Sequence, residues 1–422
     1  MKTPSHSPTR LFTICALSLC PALAHADIHV PWNATDATAN IQAAIDTGDS
    51  KIILDNHGAP WQTGPIFLTK PNQEIHFANG AQVMAIAGGY QGTRDAMFTV
   101  QADNVTLNGY ANGTDTTAGT ATLQMRKADY QNPPYTPGEW RHTVYVGGFS
   151  NVTVQGLTLK DSGGDGICVG RKFSTLGYAH NVTIRDIVSD GNHRQGISIG
   201  SAVNLTVTNA VFKNTDGTPP QAGVDLEPDQ PYDRLENIRF QNCRFENNTG
   251  SNIIIHLKRQ FGEQVKDVSI DFIDCVLDGS SQAGIFLAWL LPDGPGGHIT
   301  FKNCQIRNAD NCGILLGAWA AGKLKVTFDN VSVENSALTT GYPIMFQKSV
   351  APLWVSGGVD FINGCTVVDS KTNRSTIIGA SNNLLSVGFK DINGSIDVTT
   401  ASPTAQLLNL GTMLDNVGLV AN

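Results

Sequence analysis

Beyond about residue 144 the chain is written in short runs in which apolar and polar residues alternate with period two, the pattern of strands with one buried face. The runs recur about every 30 residues, the mark of a stacked repeat. Asn151-Val152-Thr153-Val154, Asn181-Val182-Thr183-Ile184, Asn204-Leu205-Thr206-Val207 and Asn237-Ile238-Arg239-Phe240 are versions of one segment, continued by Val268-Ser269-Ile270, Ile299-Thr300-Phe301 and Val326-Thr327-Phe328. After each of the first six comes a polar turn and a second short strand, opening at Gly166, Gly196, Gly223, Asn252, Gly284 and Gly313. No unit buries enough apolar surface alone, so the units must stack. Several short strands per repeat and no helical period in this region predict an all-β fold, a right-handed parallel β-helix. Coils stacked at the strand spacing line up equivalent residues in ladders.

Ahead of the repeats, Asp36 stands as a capping acid before the stripe Ile41, Ala44, Ile45, which predicts a short helix over about 36–46 covering the open end of the solenoid. Lys51-Ile52-Ile53-Leu54, Gly64-Pro65-Ile66-Phe67-Leu68 and Ala81-Gln82-Val83-Met84-Ala85 then complete the first coils.

One stretch departs from this pattern in its chemistry. In Gly223-Val224-Asp225-Leu226-Glu227-Pro228-Asp229 three carboxylates alternate with two aliphatics, so a strand puts all three acids on one face. Like charges at this spacing repel, and they need a cation or a substrate to meet them. On the next coil Ile254, His256 and Lys258 fall on the same face, so His256 is expected beside Glu227 and Lys258 beside Asp229. Asp165 lies two coils earlier, and His193 and Arg194 in the turn between flank the acid strand. Asp233, just past the acids in a turn, is expected to be inert. Residues 124–142 interrupt the repeat with prolines, aromatics and basic groups. Long loops of this kind are commonly functional. The expectation is a wall of the groove, with Arg126, Arg141 and His142 as cationic contacts and Tyr130, Tyr135 or Trp140 as sugar-stacking surfaces. The loop is also expected to lie outside the folding core, so that deleting 128–139 leaves the protein folded. Trp289, Trp319 and Trp354 are candidates for a platform at the far end.

Composition narrows the partners. Residues 1–26 read as a secretory signal peptide, with Lys2 and Arg10 before an apolar core and Ala24-His25-Ala26 as cleavage site. That leaves 27–422 as a single β-helix domain, secreted or periplasmic. No later stretch has the length of a membrane span. Without Lys2 and Arg10 the balance is 26 basic against 36 acidic residues, −10, which argues against nucleic acid and leaves an oligosaccharide or polysaccharide open. The oligomeric state is left open. Six of the eight cysteines remain, with no zinc spacing. Cys243, Cys275 and Cys304 occupy one place in successive coils, as an interior thiol ladder or, in an oxidising compartment, as disulfides.

The helix, then Gly64-Pro65-Ile66-Phe67-Leu68, then Asn79-Gly80-Ala81-Gln82-Val83, resembles the start of pectin-lyase-like β-helix enzymes, including polygalacturonases. That resemblance implies a carbohydrate-active enzyme. Polygalacturonases carry paired aspartates before one strand and Gly-His-Gly before the next. Here the matching places read Gly163-Gly164-Asp165-Gly166 and His193-Arg194-Gln195-Gly196, so one acid is kept and Gln195 replaces the histidine. The cadence is also similar to that of mannuronan C5-epimerases, without their Asp-Pro-His element.

From the residues themselves, glycoside hydrolysis fits best: it needs one protonated and one ionised carboxyl, and crowding of Asp225 with Glu227 raises one pKa. Asp225 and Asp165 are then the base and acid candidates, Glu227 a modulator or alternate acid, and Arg194, Arg141 and His256 hold the sugar. Two alternatives stand. A polysaccharide lyase or C5-epimerase acting on a uronate would use His193, Arg194, Arg141 and Tyr130. A non-catalytic carbohydrate-binding solenoid would need no acid. No cofactor is expected, and calcium at Asp225, Glu227 and Asp229 is the one metal alternative.

Overall fold

The repeats pair coil upon coil. In the computed structural model, which describes residues 27–111, 121–171, 177–347, 354–380 and 387–422, every pairing between named strands is parallel, in one sheet of twenty-four strands and another of twelve. The fold is an all-β right-handed parallel β-helix, as the repeat predicts. The signal peptide at 1–26 lies outside the described residues. Among the described residues no helix is long and apolar enough to cross a membrane.

The helix runs Thr38–Asp46 and buries Ile41, Ala44 and Ile45. It starts two residues later than expected because the Asp36 carboxylate accepts the Thr38 backbone N–H at 2.9 Å and its hydroxyl at 2.5 Å, capping from outside the helix.

The asparagines opening the repeated segments have a role of their own. Asn72, Asn104, Asn151, Asn181, Asn204 and Asn237 all have φ between 53° and 62°. Asparagine tolerates this left-handed conformation. Each amide donates to the preceding asparagine's side-chain oxygen at 2.8–3.0 Å, a ladder that satisfies the turns down the stack. Inside, Phe240, Phe272, Phe301, Phe328 and Phe361 stack with ring centroids 4.8–5.2 Å apart, the spacing of the coils. Cys243, Cys275 and Cys304 form the interior ladder beside them, buried and free, and the disulfide alternative is overturned.

Candidate functional site

Register sets the site. Along the outward face of the twelve-stranded sheet, Thr99, Tyr145, Cys168, Ser198, Asp225 and Ile254 follow one another coil by coil. Above Gly170 and Gly200 the face is open, since an added Cβ there would meet nothing closer than 3.8 Å. A cavity of about 530 Å³ covers this part of the face, lined among others by Trp140, His142, Asp165, Arg194, Asp225 and Glu227.

Three carboxyls meet in it around one guanidinium. Arg194 lies 3.7 Å from Asp165 and 3.6 Å from Glu227, with Glu139 at 3.5 Å from the loop side. Asp165 Oδ2 accepts the Ser198 hydroxyl at 2.5 Å, and its Oδ1 has no hydrogen-bond partner among the described residues. Asp225 Oδ2 accepts the Gln195 amide at 2.9 Å, and its Oδ1 is likewise unpartnered. Glu227 Oε1 lies 2.8 Å from His256 Nδ1, the neighbour the ladder predicts.

Burial and charge tune these groups apart. Burial pushes the Asp165 carboxyl up to about 6, with Arg194 and Ser198 pulling the other way. Asp225, fully buried and beside Glu227, is pushed well above the usual carboxylate range. Glu227 is held below it by the hydrogen bond from His256, aided by Arg194. His142 is driven down to about 3 by burial and then by Arg194 and Arg94, so it is neutral. Its Nδ1 accepts the Asp165 backbone N–H at 3.1 Å, which leaves the proton on Nε2. For Arg194, burial works against the charge, but Asp165, Asp225 and Glu227 more than reverse it. The arrangement therefore sets one carboxyl well above the usual range, one below it and a third at about 6.

The sequence matches the model of the right handed beta helix region over residues 119–290 and 182–387, together more than half of the chain. The chain belongs to the right-handed β-helix family. Solved structures similar to this β-helix include the A-module of a mannuronan C-5 epimerase of Azotobacter vinelandii, with TM-score 0.60 and 14% identity over 94% of this chain and 97% of that one. A family 28 exopolygalacturonase of Yersinia enterocolitica matches with TM-score 0.61 and 14% identity, covering 93% and 78%. The catalytic unit of a GH87 alpha-1,3-glucanase of Streptomyces thermodiastaticus gives 0.57 and 13%, covering 94% and 68%. At these identities the likeness is one of fold. Among curated proteins, the SPbeta prophage-derived uncharacterized protein YorA of Bacillus subtilis is 25% identical over 47% of this chain, which spans 37% of that protein's length.

Several expected contacts of the β-helix lie elsewhere. Tyr130 is fully buried and Tyr135 nearly so, and neither offers a face to a sugar. Arg141 is also fully buried, its guanidinium donating to the carbonyls of Tyr90 and Thr136 at 3.0 and 2.9 Å and lying over Tyr130. This part of the loop packs on itself and on residues 85–91, so it is part of the core. Arg126 donates to the Ala85 carbonyl at 2.7 Å and does not line the cavity. Trp140 and His142, at the loop's end, do. His193 points away, with Nε2 2.9 Å from the Thr218 hydroxyl. Lys258 sits over Trp289, 4.9 Å from the ring, rather than pairing with Asp229. Trp319 is fully buried and cannot be a platform; Trp289 and Trp354 are half-buried.

The roles of three cavity residues or supports were not visible in the sequence. Gln195 both holds Asp225 and accepts the Ala222 N–H at 2.9 Å. Ser198 sits between Cys168 and Asp225 in the outward ladder, a position that the repeat itself could have flagged. Asp233 is buried, not inert: it pairs with Arg171 at 3.1 Å and accepts the N–H groups of Asp229 and Gln230. Among the described residues, the one trio able to share a cation is His142, Asp165 and Cys168, whose ligand atoms lie within 4.8 Å of one another. Calcium at Asp225, Glu227 and Asp229 would have to share Glu227 with His256 and Arg194.

Proposed function

We propose that this β-helix hydrolyses a glycosidic bond of a polysaccharide, with Asp225 as general acid and Asp165 as general base. The observation that carries the reading is a fully buried carboxyl, Asp225, held by Gln195 and pushed well above the usual carboxylate range, in one cavity with Asp165, whose carboxyl is pushed up to about 6. Asp225 gives its proton to the glycosidic oxygen as the carbon–oxygen bond breaks. Asp165 takes a proton from the attacking water, which adds to the anomeric carbon from the other side. Ser198 occupies Asp165 Oδ2, and Oδ1, which has no hydrogen-bond partner among the described residues and lies 3.7 Å from Arg194, is the oxygen that would take the proton. Glu227 stays ionised and keeps the proton on Asp225.

The backbones of Asp165 and Asp225 lie two coils apart, roughly 9–10 Å along the axis, and the Asp165 carboxyl reaches to Ser198 on the coil between them. Carboxyls about 6.5–9.5 Å apart admit a water between them and invert the anomeric centre, whereas a separation of about 5–5.5 Å goes with retention, so the anomer formed first distinguishes the two. Lyase chemistry would need a cation to neutralise a uronate, and Arg194 is already met by Glu139, Asp165 and Glu227. Hydrolases share the fold, among them the exopolygalacturonase and the alpha-1,3-glucanase. Export through the segment 1–26 belongs to the same proposal. The test is to incubate the purified protein with a panel of neutral and acidic polysaccharides. New reducing ends without unsaturated sugars, abolished in Asp225→Asn and Asp165→Asn, are expected. Unsaturated ends would replace the hydrolase with a lyase.

A further inference from the structure

One end of the cavity carries an arginine against an exposed aromatic ring, and the adjoining cavity at the other end is lined by an arginine and an exposed aromatic ring. At one end Arg94 is exposed and lies 4.2 Å from the Trp140 ring centroid, and both residues line the cavity. At the other end a second cavity, about 410 Å³, shares Arg171 and Asp229 with the first and is lined by Arg259 and Phe261. Arg259 is exposed, and Phe261 is 42% exposed where Trp140 is 39%. Among the described residues neither Arg94 nor Arg259 is ion-paired to a carboxylate, whereas the two arginines between them are: Arg194 with Glu139, Asp165 and Glu227, and Arg171 with Asp233.

The arginines are thus ion-paired at the centre and unpaired at the ends, with Asp229 the one carboxylate among the described residues lining the Arg259 cavity. A carboxylate on the sugar at the cleavage position would face Asp165, Asp225 and Glu227 with no cation to spare. An acidic group farther along would meet Arg94 or Arg259, with the neighbouring ring to carry the apolar face of its sugar. The coils from Phe98 to Ile253 are five steps apart, about 24 Å at the strand spacing, so the whole run takes an oligosaccharide segment and not a single sugar.

Resting on the hydrolase reading, we infer that the substrate is a mixed polysaccharide, with an uncharged sugar at the cleaved bond and acidic sugars on either side, held at Arg94 with Trp140 and at Arg259 with Phe261.

The experiment uses the full chain carrying Asp225→Asn, so that the polymer is bound and not consumed. Binding is measured for hyaluronan, in which acidic and neutral sugars alternate, for polygalacturonate, in which every sugar is acidic, and for dextran, which has none. Hyaluronan is expected to bind most tightly, with an affinity that falls as salt rises. Adding Arg94→Gln or Arg259→Gln should each weaken it about tenfold, the loss of one charged contact, and flatten the salt dependence. The inference is overturned if both glutamine variants bind hyaluronan as the parent does, if polygalacturonate binds as tightly, or if neither acidic polymer binds in a salt-dependent way. Because binding is read without turnover, these outcomes are separate from failure of the hydrolase reading, which is decided by the products of the unmodified protein.

Discussion

Asp165→Asn tests whether the site is strained in the way its burial implies. The substitution keeps the shape and an oxygen for the Ser198 hydroxyl, and it mimics the protonated acid. The carboxyl is raised from the usual 3.8 to about 6 in the folded protein. An acid raised on folding binds its proton more tightly in the native than in the unfolded state, so stability is lost as pH rises from the lower value through the higher. A shift from 3.8 to about 6 corresponds to about 3 kcal/mol at pH near 7 and falls below about 1 kcal/mol near 4. Asp165→Asn escapes this cost. Urea denaturation followed by circular dichroism should find the variant more stable than the parent by roughly 2–3 kcal/mol at neutral pH, with the two nearly matched at pH about 4. Activity should fall at the same time by about 10²–10⁴, the pattern of a site where function is held against stability. Equal or lower stability of the variant at neutral pH would refute the reasoning.

Turnover should fall on the acid side below about pH 6, where Asp165 takes up a proton and ceases to be a base, and on the alkaline side once Asp225 loses its own; the pH–rate profile reads both limbs. Glu227→Gln removes the anion beside Asp225 and should move the alkaline limb to lower pH; an unmoved limb would dissociate the two residues. Arg141→Met should destabilise by about 2–4 kcal/mol, because the Tyr90 and Thr136 carbonyls lose a buried charged donor. For the same reason deleting 128–139 should lower the melting temperature sharply instead of leaving a sound fold, since Tyr130 is buried. Asp233→Asn should loosen the 229–233 turn and reduce activity, measurable as greater proteolysis there together with slower turnover.

The fold was legible because a solenoid writes each coil in the sequence again: Asn151, Asn181 and Asn204 mark the same turn, and Phe240, Phe272 and Phe301 the same interior place. The same periodicity put His256 beside Glu227 and Asp165 two coils from Asp225. Loops carry no such repeat. Tyr130, Arg141 and Trp140 sit in one segment of aromatic and basic residues, and that composition suits a sugar-binding wall and a self-packed loop equally. Only the path of the chain over residues 85–91 buries the first two and leaves Trp140 at the cavity. Asp233 was misjudged because its partner Arg171 is 62 positions away and belongs to no shared ladder. His193 and Arg194 are adjacent yet face opposite ways, a difference that a turn hides until its backbone is seen.

The central claim is that water is added across a glycosidic bond by an acid and a base in this cavity. Incubation with the polysaccharide panel in heavy-oxygen water tests the proposed hydrolysis. Hydrolysis leaves one heavy oxygen at each new reducing end and no near-ultraviolet absorbance from unsaturated sugars. Unsaturated ends without incorporated label would contradict it.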